Sequence, residues 1–146
     1  MRKYYLFIIR NDFSEVYRNN QKTLFFTLDN IYKLKYSNVY YGLSIYNQLC
    51  QVFNPDVIIN YLSKKNKKYI KKYHNKFFIN DVFANERTCI QVNYSCIVMK
   101  TNSNMPYVMK IFNWYNCNIF VCDFENNDYF WLKDYTKKIP TNIVYN

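Results

Sequence analysis

"KYYLFIIRNDFSEVYRN", residues 3–19, changes rhythm in its middle. From Lys3 to Ile9 aromatic and β-branched side chains dominate, the composition of a strand. From Asn11 onward the apolar residues fall at Phe13, Val16 and Tyr17, the i, i+3, i+4 spacing of one helix face. The segment reads as strand, then helix. Asn11 or Asp12 is placed to cap that helix, with Glu15 three residues after Asp12 as the partner in a capping box. What the aromatic face touches is left open by the pattern: all three side chains pack on the protein's own sheet, or Val16 turns inward and Phe13 and Tyr17 stand half exposed at the margin.

Working outward, the chain continues to alternate between the two periods. After the polar break Arg18-Asn19-Asn20, the spacing of Leu24, Phe25, Leu28, Ile31 and Tyr32 predicts a helix over about residues 21–35. Ile45, Leu49 and Val52 or Phe53 suggest a further short helix within 38–53. Asn54-Pro55 is a start signal, since proline at the first helical position gives up no needed hydrogen bond; it predicts a helix over 55–63 that continues into "KKNKKYIKKYHNK", residues 64–76. On that helix Tyr69, Ile70, Tyr73 and Phe77 form an inward stripe and lysine the wet face. "KFFINDVF" and "TCIQVNYSCIVMK" read as strand, Met105, Val108, Met109 and Phe112 as an amphipathic helix, and "NIFVCDF", "ENND", "YFWL" as strand, turn, strand. No repeat and no linker divides the chain. The expected fold is mixed α/β, a single compact domain over 1–146 with one central β-sheet packed by several short helices.

Composition bounds the function. At 146 residues, half of them hydrophobic and with 17 Tyr, 12 Phe and 2 Trp, the chain is far from a disordered composition. A formal charge of +10 invites nucleic acid, an acidic protein or anionic lipid, but Lys, Asn, Ile, Tyr and Phe are all encoded by A- or T-rich codons, which makes the charge weak evidence by itself. Five cysteines without a C-x-x-C pair favour free thiols in a reducing compartment. The apolar run ending at Ile9 is shorter than a signal-peptide core, and no run reaches the roughly 20 residues of a membrane span. The expected location is the cytoplasm, with no membrane partner.

Few residues support catalysis. Gly42 is the single glycine, so phosphate-cradling loops with several glycines are excluded. His74 is the single histidine, which excludes multi-histidine zinc sites and leaves a Cys/His pair conceivable, although a solvated surface residue is the ordinary reading of a histidine inside a lysine run. Asp123, Glu125 and Asp128 could hold a cation but are the usual chemistry of a turn. No cofactor and no small-molecule substrate is called for. The lysine run is the best internal case for direct nucleic-acid contact: Lys64, Lys65, Lys67, Lys68, Lys71, Lys72 and Lys76 interleave with Tyr69 and Tyr73, which combines phosphate neutralisation with stacking.

The two ends carry a resemblance. "KYYLFII" followed by "NDFSEVY", a polar break and "TLFFTL" resembles the start of the SirA family, the sporulation inhibitors of replication of spore-forming Firmicutes, and "CNIFVCDFENNDYFWL" is similar to that family's C-terminal segment. The resemblance implies a non-enzymatic α/β protein that binds the N-terminal domain of the replication initiator DnaA and stops new rounds of replication. In that family a Phe-x-x-x-Tyr pair on the first helix engages the initiator; here those positions are Phe13 and Tyr17. A further family contact, a Gln ahead of an aliphatic residue, corresponds to Gln48 before Leu49. Where the family has glycine and then Arg-Glu after the first helix, this chain has Asn19-Asn20-Gln21-Lys22, and asparagine tolerates the left-handed backbone that a glycine would take.

Overall fold

The computed structural model describes residues 1–37, 39–64 and 70–137. Within them the chain forms strand β1 (Arg2–Ile9), helices α1 (Asn11–Val16), α2 (Gln21–Ser37) and α3 (Val39–Leu49), strand β2 (Cys50–Gln51) and helix α4 (Pro55–Lys64). The hairpins β3 (Ile70–Tyr73), β4 (Lys76–Asp81) and β5 (Glu86–Val92), β6 (Ile97–Thr101) follow. A 3-10 turn at Tyr107–Ile111, helix α5 (Phe112–Tyr115), strands β7 (Ile119–Asp123) and β8 (Asp128–Trp131) and helix α6 (Leu132–Lys137) complete it. The fold is mixed α/β, as the sequence pattern implies.

All described pairings are antiparallel, in the order β3-β4-β5-β6-β1-β7-β8. β1 is central: Arg2–Leu6 pair with β6, Tyr5–Ile8 pair with β7, and β2 adds to Ile8 and Ile9 where β6 has ended. Successive strand side chains point to opposite faces, so β1 feeds two cores. Tyr4, Leu6 and Ile8 join Ile58, Leu62, Phe77, Met99 and Phe112 under α4 and α5. Tyr5, Phe7 and Ile9 join Leu24, Phe25, Leu28 and Trp131 under α2. Each such buried side chain contributes about 1.5–3 kcal/mol by removal from water, which is why the run from Tyr4 to Ile9 is apolar at every position.

"TCIQVNYSCIVMK" is strand as read, divided in two where Asn93 N donates to Cys96 O (3.2 Å) and turns the chain between β5 and β6. The reading of the lysine stretch is corrected. The helix expected to continue through residues 64–76 is absent from the described part of that stretch, residues 70–76. Ile70–Tyr73 is an edge strand joined to β4 by His74-Asn75, with His74 left-handed at φ 56°. Ile70 and Phe77 do face the core, but Tyr73 is exposed, and Lys65, Lys67, Lys68 and Tyr69 lie outside the described residues. Positive φ among described non-glycine residues is confined to His74, Asn85 and Asn127, so the link through Asn19 and Asn20 is built without a left-handed residue.

The acidic cluster is an ion-pair site. Arg2 Nη2 stands 2.9 Å from both Asp123 Oδ2 and Asp128 Oδ2, and Asn126 Nδ2 donates to Asp123 Oδ2 at 2.7 Å. Burial pushes the Asp123 carboxyl up, but the hydrogen bonds from Asn126 and Arg2 outweigh it and hold the group below its usual range. Among the described residues, no group of three or more His, Cys, Asp or Glu could hold a metal ion, and no helix is long and apolar enough to cross a membrane.

Candidate functional site on helix α1

α1 is six residues long and is held at its start by backbone contacts. Arg10 precedes it in extended conformation and supplies no side-chain cap, so neither Asn11 nor Asp12 takes the capping role, and the Asp12–Glu15 box does not form. Instead Arg10 N donates to Leu49 O (2.9 Å) and Arg10 Nε to Asn47 O (2.9 Å), which ties the entrance of the helix to the end of α3. Asn118 Nδ2 donates to Asn11 Oδ1, and Ile9 N to Asn118 O (3.0 Å). Past the helix, the Arg18 guanidinium lies over the Trp131 ring, 5.6 Å from its centroid. Both ends are therefore fixed to the sheet and its helices.

The inward side chain of α1 is Ser14, 3% exposed, whose Oγ donates to Asn11 O at 2.9 Å. Everything else follows from helical geometry at about 100° per residue. Tyr17 lies about 60° from the Ser14 direction, Phe13 about 100° and Val16 about 160°. Exposure rises in that order: Tyr17 is half-buried against the Leu24–Trp131 core, Phe13 is 37% exposed and Val16 60%. Val16 does not face inward as its spacing suggests. It crowns an apolar stripe that points to solvent.

Within that stripe the Phe13 and Tyr17 rings stack, with centroids 6.5 Å apart and planes inclined by 24°. Gln48 is exposed near the end of α3, one residue before the buried Leu49 whose carbonyl receives the Arg10 N–H. The structure thus brings the end of α3 that carries Gln48 to the start of the helix that carries Phe13 and Tyr17. Val16 is the member that periodicity placed wrongly, because a hydrophobic stripe is read as inward by default and a lone serine is not read as the packed side.

The remaining candidate groups do not assemble a reactive site. His74 is exposed in the β3–β4 turn, with its ring edge-on to Tyr73 at 4.3 Å. Cys50 and Cys122 are buried, and burial pushes both thiols well above their ordinary range, which disfavours the thiolate. Cys117 is exposed. The chain matches no family model and no curated protein.

Proposed function

We propose that this protein is a non-enzymatic inhibitor of replication initiation that binds the N-terminal domain of DnaA through the α1 surface. The observation that carries this reading is the stripe of exposed Phe13 and Val16 with half-buried Tyr17, whose ring stacks on Phe13, on a helix held at both ends. Two of its three members, Phe13 and Tyr17, are residues to which the SirA resemblance assigns the contact. A short apolar patch around two rings is the chemistry of an interface hot spot, where anchors are worth about 2 kcal/mol or more each on truncation and the surrounding contacts contribute little.

The mechanism is occlusion. The domain covers an apolar patch on the initiator that otherwise serves self-association or regulator docking, and the assembly at the origin does not form. Fixing α1 in advance lowers the ordering cost of binding. The charged rim, Arg10 and Arg18 with Asp12 and Glu15, sets orientation and encounter rate more than affinity.

The test is titration calorimetry of the purified protein against the purified N-terminal domain of DnaA from the same host. A saturable complex at one-to-one stoichiometry that Phe13→Ala weakens at least tenfold supports the reading. Absence of heat and of co-elution at high micromolar concentration refutes it.

A further inference from the structure

The helices of the Leu24–Trp131 side cover β1, β7 and β8 and touch β6 at Val98, but leave the same face of β3–β5 and the Lys100 end of β6 open. The register determines what that bare face carries. Lys71, Phe78, Cys89, Lys100 and Lys3 are consecutive cross-strand partners, one from each of β3, β4, β5, β6 and β1. They form a row about 19 Å long at the usual strand spacing. A second row runs Tyr73, Lys76, Gln91, Val98 and Tyr5. Arg87, opposite Asn80, extends the face on one side.

Two features separate this face from an ordinary solvated one. First, it is cationic without compensation: Asp81 and Glu86 pair with each other on the opposite face, and none of the chain's 10 acidic residues falls in these rows. Edge protection accounts for lysine on the edge strand β3, yet the positive charge continues inward to Lys100 and Lys3 on interior strands. Those two stand directly opposite each other, a like-charge pairing that destabilises a sheet, and among the described residues neither is in an ion pair. Second, on β3 and β4 the cations Lys71 and Lys76 alternate with open rings: Tyr73 is 66% and Phe78 46% exposed. The face runs into a groove of about 580 Å³ between the sheet and α2–α3, walled by Tyr32, Leu43 and Tyr46.

We propose that this bare half-sheet binds single-stranded nucleic acid, with phosphates along Lys71, Lys100, Lys3 and Arg87 and bases stacked on Phe78 and Tyr73. Uncompensated cations favour a polyanion through counter-ion release, and exposed rings beside them favour one with unpaired π-faces. A duplex hides its bases from such rings, and an acidic polypeptide has no use for them. The site is separate from α1 and stands whether or not the initiator is the partner. It differs from a simple lysine-run site, since only Lys71, Tyr73 and Lys76 of that run lie in these rows.

The test is fluorescence anisotropy with a dye-labelled oligothymidylate about 20 nucleotides long, titrated from about 50 mM salt upward. The expected result is binding that Phe78→Ala or Tyr73→Ala weakens roughly tenfold. Joint replacement Lys71→Gln and Lys100→Gln should lower the slope of log affinity against log salt by about 1.4, whereas Lys110→Gln, on the opposite helix layer, changes neither. If Phe78→Ala lowers the melting temperature, Phe78→Leu keeps the apolar volume, removes the ring and must still weaken binding. The proposal is overturned by no binding at about 50 mM salt, by an equal effect of Lys110→Gln, or by tighter binding of a duplex of the same length. Competition by polyglutamate as strong as by the oligonucleotide, with the ring variants silent, overturns it in favour of an acidic protein.

Discussion

Ser14 and Val16 lie on opposite sides of one short helix, the hydroxyl side chain packed and the isopropyl group in water. That inversion has a physical basis. Arg10, bonded to Asn47 and Leu49, enters α1 at a fixed angle, and a small side chain at position 14 lets the helix lie close against its neighbours. The apolar stripe is then left outward, where it destabilises nothing in the fold and is free to be covered by another molecule.

Val16→Lys follows directly. An exposed position outside the core changes stability by no more than about 0.5 kcal/mol, so the urea midpoint stays where it is. Affinity for the DnaA N-terminal domain falls, because a lysine at the most exposed position of the apolar stripe must be desolvated. The pair of measurements, denaturation and calorimetry, separates a surface residue from a packed one.

Ser14→Leu does the opposite. Three extra carbons in the closed space under α1 force the helix off the sheet at about 1–3 kcal/mol. Chemical denaturation should show the loss at unchanged m-value, and binding weakens only because Phe13 and Tyr17 are displaced.

Arg2→Met leaves the buried Asp123 carboxylate without its cation but with its hydrogen bonds from Asn126, a loss of about 1–3 kcal/mol at neutral pH. The sign with pH is determined by the lowered folded-state value of Asp123. A depressed carboxyl contributes stability that is fully present above its unfolded value of about 3.9 and is lost as pH falls through the folded value. The contribution of Asp123 is therefore kept down to about that unfolded value in the wild-type protein, and Arg2→Met unfolds at higher pH. Acid titration followed by circular dichroism reads both midpoints; Arg2→Met with Asp123→Asn recovers part of the loss.

Thiol chemistry should be confined to the surface. Burial holds the Cys50 and Cys122 thiols protonated at neutral pH, so an aromatic disulfide reagent at pH 7 modifies Cys117 first and reaches those two only on unfolding. Cys117→Ser should remove the fast phase.

The parts of the fold that were legible in the sequence are those decided locally. β1 is apolar from Tyr4 to Ile9 because it serves two cores there, and Pro55 behind Asn54 starts α4 as its chemistry requires. The lysine stretch misled because Ile70 and Phe77 fit a helical spacing equally well as inner residues of a hairpin, and His74-Asn75 carries none of the glycine that marks a two-residue turn. Spacing left Phe13 and Tyr17 either packed or at a helix margin, and it could not show Ser14 as the packed side, since that depends on Arg10 meeting the end of α3. The cationic rows on the bare half-sheet were hidden altogether: they exist only in the register of five strands drawn from residues 3 to 100.

The most direct test of the central claim is an amide chemical-shift map of the isotopically labelled protein as the unlabelled N-terminal domain of DnaA is added. The account predicts saturable shifts centred on residues 13, 16 and 17 and extending to 48 and its neighbours, with the β3–β6 amides still. Shifts centred away from α1, or none at saturating concentration, contradict it.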